Sequence, residues 1–138
     1  MADLYKNYDA DIYDGLITDI VPPIVTGAAT IRKLGTAGTL KRGTVLAKSS
    51  GTAGDGKLVV LGTSAASNET LTAYGILCDD TEVGTAADVN ALVYLAGSFD
   101  PDKVIVKEGY TMAAADIAAL RDGGIFLKAQ IDADYVAP

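Results

Sequence analysis

The sequence predicts an α+β fold that is mostly β: a compact small domain of short strands, one short C-terminal helix at about residues 112–121, and an extended N-terminal arm. Three observations carry this expectation. Short apolar, β-branched runs recur along the chain and are bounded by Gly, Asp and Pro, the pattern of brief strands joined by tight turns. One segment near the C-terminus is Ala-rich and carries helix start and stop signals. The first twenty residues show no period at all.

That first segment holds Asp3, Asp9, Asp11, Asp14 and Asp19 against a single Lys6, together with Tyr5, Tyr8 and Tyr13. Pro22-Pro23 forces an extended backbone and ends any helix before it, so residues 1–22 form the expected arm and 23–138 a single β-rich domain. Residues 25–33 are β-branched at intervals and form the first expected strand; residues 35–38, Gly-Thr-Ala-Gly, form a turn. Strands are expected at 44–48 and 58–61 around a Gly-rich loop at 49–56, then at 71–78, 91–97 and 104–107. Phe99-Asp100-Pro101-Asp102 separates the last two as a turn. The helix begins after Thr111, whose hydroxyl can accept from a first-turn N–H, and places Met112, Ala115, Ala119 and Leu120 near one face. Asp116 early and Arg121 late suit the helix dipole, and Gly123-Gly124 supplies a left-handed stop. Residues 125–131 return as a final strand, followed by a loose tail at 132–138. Gly-Thr-Ala-Gly recurs at 51–54, which is turn chemistry, since no strand pattern repeats at that offset.

Composition narrows the function. A chain of 138 residues is expected to fold as one domain with a core that needs no covalent staples. Hydrophobic residues make up 49% and mean hydropathy is +0.26, which excludes a disordered chain and suggests surface hidden against a partner. A net charge of −7 argues against wrapping nucleic acid and against anionic membrane surfaces. No run approaches the length of a membrane span, and Met-Ala-Asp-Leu-Tyr-Lys lacks the basic and apolar regions of a signal peptide, so synthesis and use on the cytoplasmic side are expected. The lone Cys78 has no intrachain disulfide partner and is expected to be a buried, inert thiol.

Candidate chemistry is thin. Gly51-Thr-Ala-Gly-Asp-Gly-Lys57 matches the start of a phosphate-binding loop, but Leu58-Val59-Val60-Leu61 follows, where a Ser or Thr and a helix are required. Asp79-Asp80 is a carboxylate pair whose members point to opposite faces of a strand, so a strand-ending turn is expected; with Glu82 and Asp88 it lacks the regular ligand spacing of a calcium loop. No His exists to serve as zinc ligand or catalytic base. Lys41-Arg42, an adjacent basic pair, is expected in an exposed turn. No catalytic residue, cofactor or metal is expected.

The arm is where function is expected. Tyrosines and apolar residues in an extended segment can add a strand to a neighbouring sheet edge, and Tyr suits interfaces because it offers area and a hydroxyl. The candidate contacts are Tyr5, Tyr8, Ile12, Tyr13, Leu16 and Ile17.

Several segments in order resemble the head decoration proteins of tailed bacteriophages, the family of the lambda head decoration protein. Tyr13-Asp14-Gly15-Leu16 leads into Pro23-Ile24-Val25. Thr39-Leu-Lys-Arg-Gly-Thr-Val-Leu46 opens the body, and Tyr74-Gly75-Ile76-Leu77 precedes the acidic turn. Val93-Tyr94-Leu95-Ala96-Gly97-Ser98-Phe99 follows, then a helix ending before Gly124-Ile125. The resemblance covers roughly residues 13–127. It implies a structural virion protein made in the host cytoplasm and placed on the capsid exterior. It would bind the expanded head as a homotrimer, engage the major capsid protein through its arm, and stabilise the shell against packaged-genome pressure without catalysis. The alternative is a tail or fibre accessory domain, or another β-rich binding module.

Overall fold

The computed structural model describes residues 15–19 and 22–128. In chain order these form β1 (Ile17–Asp19), β2 (Val25–Ile31), β3 (Gly38–Leu40), β4 (Val45–Ser50), β5 (Leu58–Val60), β6 (Thr70–Leu77), β7 (Thr81–Val83), β8 (Val89–Phe99), α1 (Ala114–Gly123) and β9 (Ile125–Leu127). The expected class, β-rich with one short helix near the C-terminus, is the class observed.

Five strands close on themselves. β8 pairs with β2, β2 with β5, β5 with β4 and β4 with β6; β6 returns to β8 through Ile76↔Tyr94 and Leu77↔Val93. Each strand of this small barrel sends one fully buried side chain inward: Ile31, Leu46, Leu58, Leu77 and Val93. Side chains alternate across a strand, so the residues beside these face outward. Val45, Ala47, Val59, Ile76 and Tyr94 accordingly belong to a second apolar layer, where they meet Leu16, Phe99, Leu120 and Ile125. Both faces of β4, β5 and the C-terminal half of β6 are therefore apolar, which is why these strands read as continuous hydrophobic runs rather than as alternation. Each buried Leu or Ile contributes roughly 1.5–3 kcal/mol by leaving water.

β3 and β7 were not expected. They pair antiparallel, Gly38↔Val83 to Leu40↔Thr81, and Leu40 and Val83 close one end of the barrel interior. Three-residue strands interrupted by polar turns leave no periodic signal. Leu95 fills the space beside Gly27, where an added Cβ would lie 2.8 Å from its Cδ1.

Three departures from expectation have clear physical causes. β8 runs through Ser98 and Phe99 because β1 pairs with both residues and β9 with Gly97, Ser98 and Phe99. The turn begins only at Asp100, whose carboxylate accepts the Asp102 N–H (2.9 Å). Residues 104–107 do not form a strand; the segment makes a single bridge, Thr44↔Ile105, before Lys107 N–H turns to the Leu61 carbonyl (2.9 Å). The helix starts two residues later than expected, and Thr111 is not its cap. Ala113 is the N-cap, and Asp116 supplies the acceptor by reaching back to the Ala113 N–H (2.9 Å) and the Tyr110 hydroxyl. This hydrogen bond to Asp116 raises the Tyr110 pKa. The stop is as expected: Gly124 is left-handed (φ 110°) and its N–H returns to Arg121. The final expected strand is present as β9; residues 129–131 lie outside the described residues, as does the tail.

Candidate functional site

Of the candidate contacts, Tyr5, Tyr8, Ile12 and Tyr13 lie outside the described residues. The two that are described sit in the body. Leu16 is 2% exposed and packs in the outer apolar layer with Phe99 and Tyr94; its carbonyl accepts the Asp100 N–H (2.8 Å). Ile17 pairs with Phe99 as β1 and is half-buried against the same layer. At the end of β1, Asp19 meets Lys128 (3.0 Å). β1 lies within the segment expected as arm, yet it is part of the sheet. Leu16 anchors this strand in the outer apolar layer.

Two exposed apolar residues stand near this anchor. Ile24 (39% exposed) precedes β2 and approaches Gly97; Ile105 (42%) joins its N–H to the Gly43 carbonyl, and Gly43 lies against Leu16. Val25 (50%), Leu92 (55%) and Tyr74 (36%) are the other exposed large apolar side chains among the described residues.

The polar chemistry of the body holds turns in place. Arg32 reaches both Asp55 (2.9 Å) and Glu69 (2.7 Å), tying the end of β2 to the loops that flank β5 and β6. Glu69 is nearly enclosed and accepts from the Ala66 N–H (2.9 Å) and the Ser49 hydroxyl. Those two bonds, with the Arg32 guanidinium, hold its carboxyl down at about 2. Asp55 is held at about 2 chiefly by its hydrogen bond to Arg32, and these carboxylates in turn raise the Arg32 pKa. Within the 51–57 loop, amides are satisfied internally: Gly54 N–H meets the Gly51 carbonyl (3.1 Å), Gly56 N–H the Ser49 carbonyl (3.1 Å) and Lys57 N–H the Asp55 carboxylate (3.0 Å). β5 follows the loop, so neither a phosphate cradle nor the required helix is built.

Lys41-Arg42 is more than an exposed turn. Arg42 is half-buried, donates to the Cys78 carbonyl (2.9 Å) and the Tyr94 hydroxyl, and lies over the Tyr94 ring at 5.5 Å. Its N–H meets Asp80 (2.8 Å), so the carboxylate pair is a turn, with Asp80 tying it to the β3–β4 connection. Cys78 is buried (6% exposed), and burial, helped by Asp79, pushes its thiol up to about 11.

Among the described residues, no three or more Cys, Asp or Glu converge as a metal site, and no helix is long and apolar enough to cross a membrane. A β-barrel whose side-chain chemistry secures its own turns defines a structural module. The family described as bacteriophage lambda head decoration protein D matches residues 12–125, most of the chain. The chain belongs to this family and is a structural protein of the phage head. No curated protein matches it.

Proposed function

We propose that the protein binds the outer surface of the expanded phage head as a homotrimer and stabilises the shell against the pressure of the packaged genome. The observation that carries this reading is the family match across residues 12–125. Residues 1–14, with Tyr5, Tyr8, Ile12 and Tyr13, engage the major capsid protein by adding a strand to a sheet edge. Leu16 and Ile17 set where that arm leaves the body. A trimer presents three arms, and linking them raises the effective concentration of each after the first has bound. Binding to the expanded lattice and not to its precursor stabilises the expanded state by mass action. The protein is made in the host cytoplasm, takes no cofactor, nucleic acid or membrane as partner, and catalyses nothing.

The arm is tested by deleting residues 1–14 and measuring binding to expanded heads, with sedimentation velocity on the free protein. Lost head binding with an unchanged trimer is expected. Undiminished binding by the deletion variant would remove the arm from the account.

A further inference from the structure

The barrel is built from two half-sheets. In one, β2 pairs with β8 over its whole length, Val25↔Ala96 to Ile31↔Val89. In the other, β4 pairs with β5 from Leu46↔Val60 to Lys48↔Leu58 and with β6 from Val45↔Ile76 to Ser50↔Thr70. The halves meet at two seams. At the first, β6 joins β8 through Ile76↔Tyr94 and Leu77↔Val93, and the Cys78 N–H adds a bond to the Leu92 carbonyl (3.1 Å). All four paired residues there are buried. At the second, β2 joins β5 at a single register position, Ile31↔Leu58, where the Arg32 N–H meets the Leu58 carbonyl (2.9 Å).

Side chains do most of the closing at this second seam. Arg32, just past β2, reaches Asp55, shortly before β5, and Glu69, just before β6. Asp88, just before β8, accepts the Lys33 N–H (2.8 Å) and meets Lys57 (2.6 Å), so it ties the end of β2 to the start of β5 a second time. These ties gather at the C-terminal end of β2. No register pair joins residues 25–30 to β5, and a groove of about 320 Å³ opens beside them, lined by Ala28, Thr30, Leu58 and Tyr74 among others. The side chains of Arg32, Asp55, Lys57 and Asp88 are each a quarter or more exposed; Glu69 alone is enclosed. Ion pairs that reach solvent hold weakly, because water competes with them and salt screens them. The β6–β8 seam is held instead by buried apolar surface, which solvent does not contest.

We propose that Arg32 and Asp88 form a latch, and that the barrel opens along the β2–β5 seam while both half-sheets stay folded. The halves turn about the β6–β8 seam, whose paired residues stay together. Opening uncovers Ile31 and Leu58, each 1% exposed in the closed barrel, and that apolar surface keeps the open form rare. It also frees the facing edges of β2, Val-Thr-Gly-Ala-Ala-Thr-Ile, and of β5, Leu-Val-Val. Neither strand carries a charge or a Pro, the devices that usually blunt an exposed edge. The latch therefore guards the barrel against strand pairing between copies.

The test is native-state amide hydrogen exchange by NMR at pH 7 on the full chain, beside full-length Arg32→Met and Asp88→Asn. The residue-32 amide reports on the seam, and the Ala47 and Val93 amides report on the interiors of the two half-sheets. In the native chain the residue-32 amide should be protected about tenfold or more less than the other two, because the seam parts without them. Each substitution removes a tie made only in the closed barrel. Arg32→Met should speed residue-32 exchange by about tenfold or more, since it cuts bonds to two carboxylates. Asp88→Asn cuts one partly exposed ion pair and should speed it by about twofold or more. Protection at residue 32 equal to that of Ala47 and Val93 overturns the proposal, because the seam then parts only when the whole barrel unfolds. So does a residue-32 rate that both variants leave unchanged, because the ties are then not what holds the seam.

Discussion

Replacing Leu16 by Ala separates two roles that the sequence alone merges: contact residue of an arm and anchor within the core. Leu16 is 2% exposed, belongs to the same apolar layer as Phe99 and approaches Gly43. Truncating such a side chain costs about 2–5 kcal/mol, the lost transfer energy plus the cavity left behind. β1 is only three residues long and can relax toward the gap, which places the cost at about 2–3 kcal/mol. The Asp100 N–H still finds the residue-16 carbonyl, so no buried donor is orphaned. Unfolding entropy of roughly 2.1 cal/mol/K per residue gives about 0.3 kcal/mol/K for this chain, and the melting temperature should fall by about 7–10 °C. Calorimetry on the full chain at pH 7 measures this directly. A fall of less than about 2 °C would refute the reasoning, since a core anchor cannot be removed that cheaply. If head binding were lost with that small fall, Leu16 would be a contact residue.

Three further outcomes follow from the body. The Glu69 carboxyl is held at about 2 against an ordinary value of 4.5, so its stabilising effect is complete above pH 4.5 and is lost as pH falls toward 2. Glu69→Gln should melt lower than the native chain at pH 7, and thermal melts should show that gap closing between pH 4.5 and 2; a gap that stays constant with pH would contradict the charge-based account. Gly62 has φ +105°, and an added Cβ would lie 2.7 Å from Tyr110 Cβ and Cγ, so Gly62→Ala should cost about 2–3 kcal/mol in urea unfolding; a loss below about 0.5 kcal/mol would contradict it. The Cys78 thiol, buried and pushed up to about 11, should react with Ellman's reagent at pH 8 only after denaturant is added; rapid reaction of the folded protein would show that the β6–β7 turn opens.

The strands with apolar side chains on both faces were legible in the sequence, because β4, β5 and β6 appear as short apolar runs between turn residues. The Gly124 stop was legible for the same reason, since a left-handed residue after an Ala-rich segment has one common meaning. What escaped was set by pairing partners distant in sequence. Phe99 looks like the first residue of an Asp-Pro turn, and only β1 and β9, on either side of it, keep it in β8. Residues 104–107 look like a strand but find one bridge. Asp116 displaced Thr111 as the helix-start acceptor because the Tyr110 hydroxyl and the Ala113 N–H converge on it. At the candidate site, nothing local distinguished Leu16 from the residues before it; it is buried in the apolar layer that also holds Phe99 and Tyr94, far along the chain.

The central claim is binding to the mature head surface, and co-sedimentation of the purified protein with expanded, undecorated heads beside unexpanded ones tests it most directly. Saturable binding to expanded heads, with none to unexpanded heads, is the predicted result. A well-folded protein that sediments with neither, or equally with both, would contradict it.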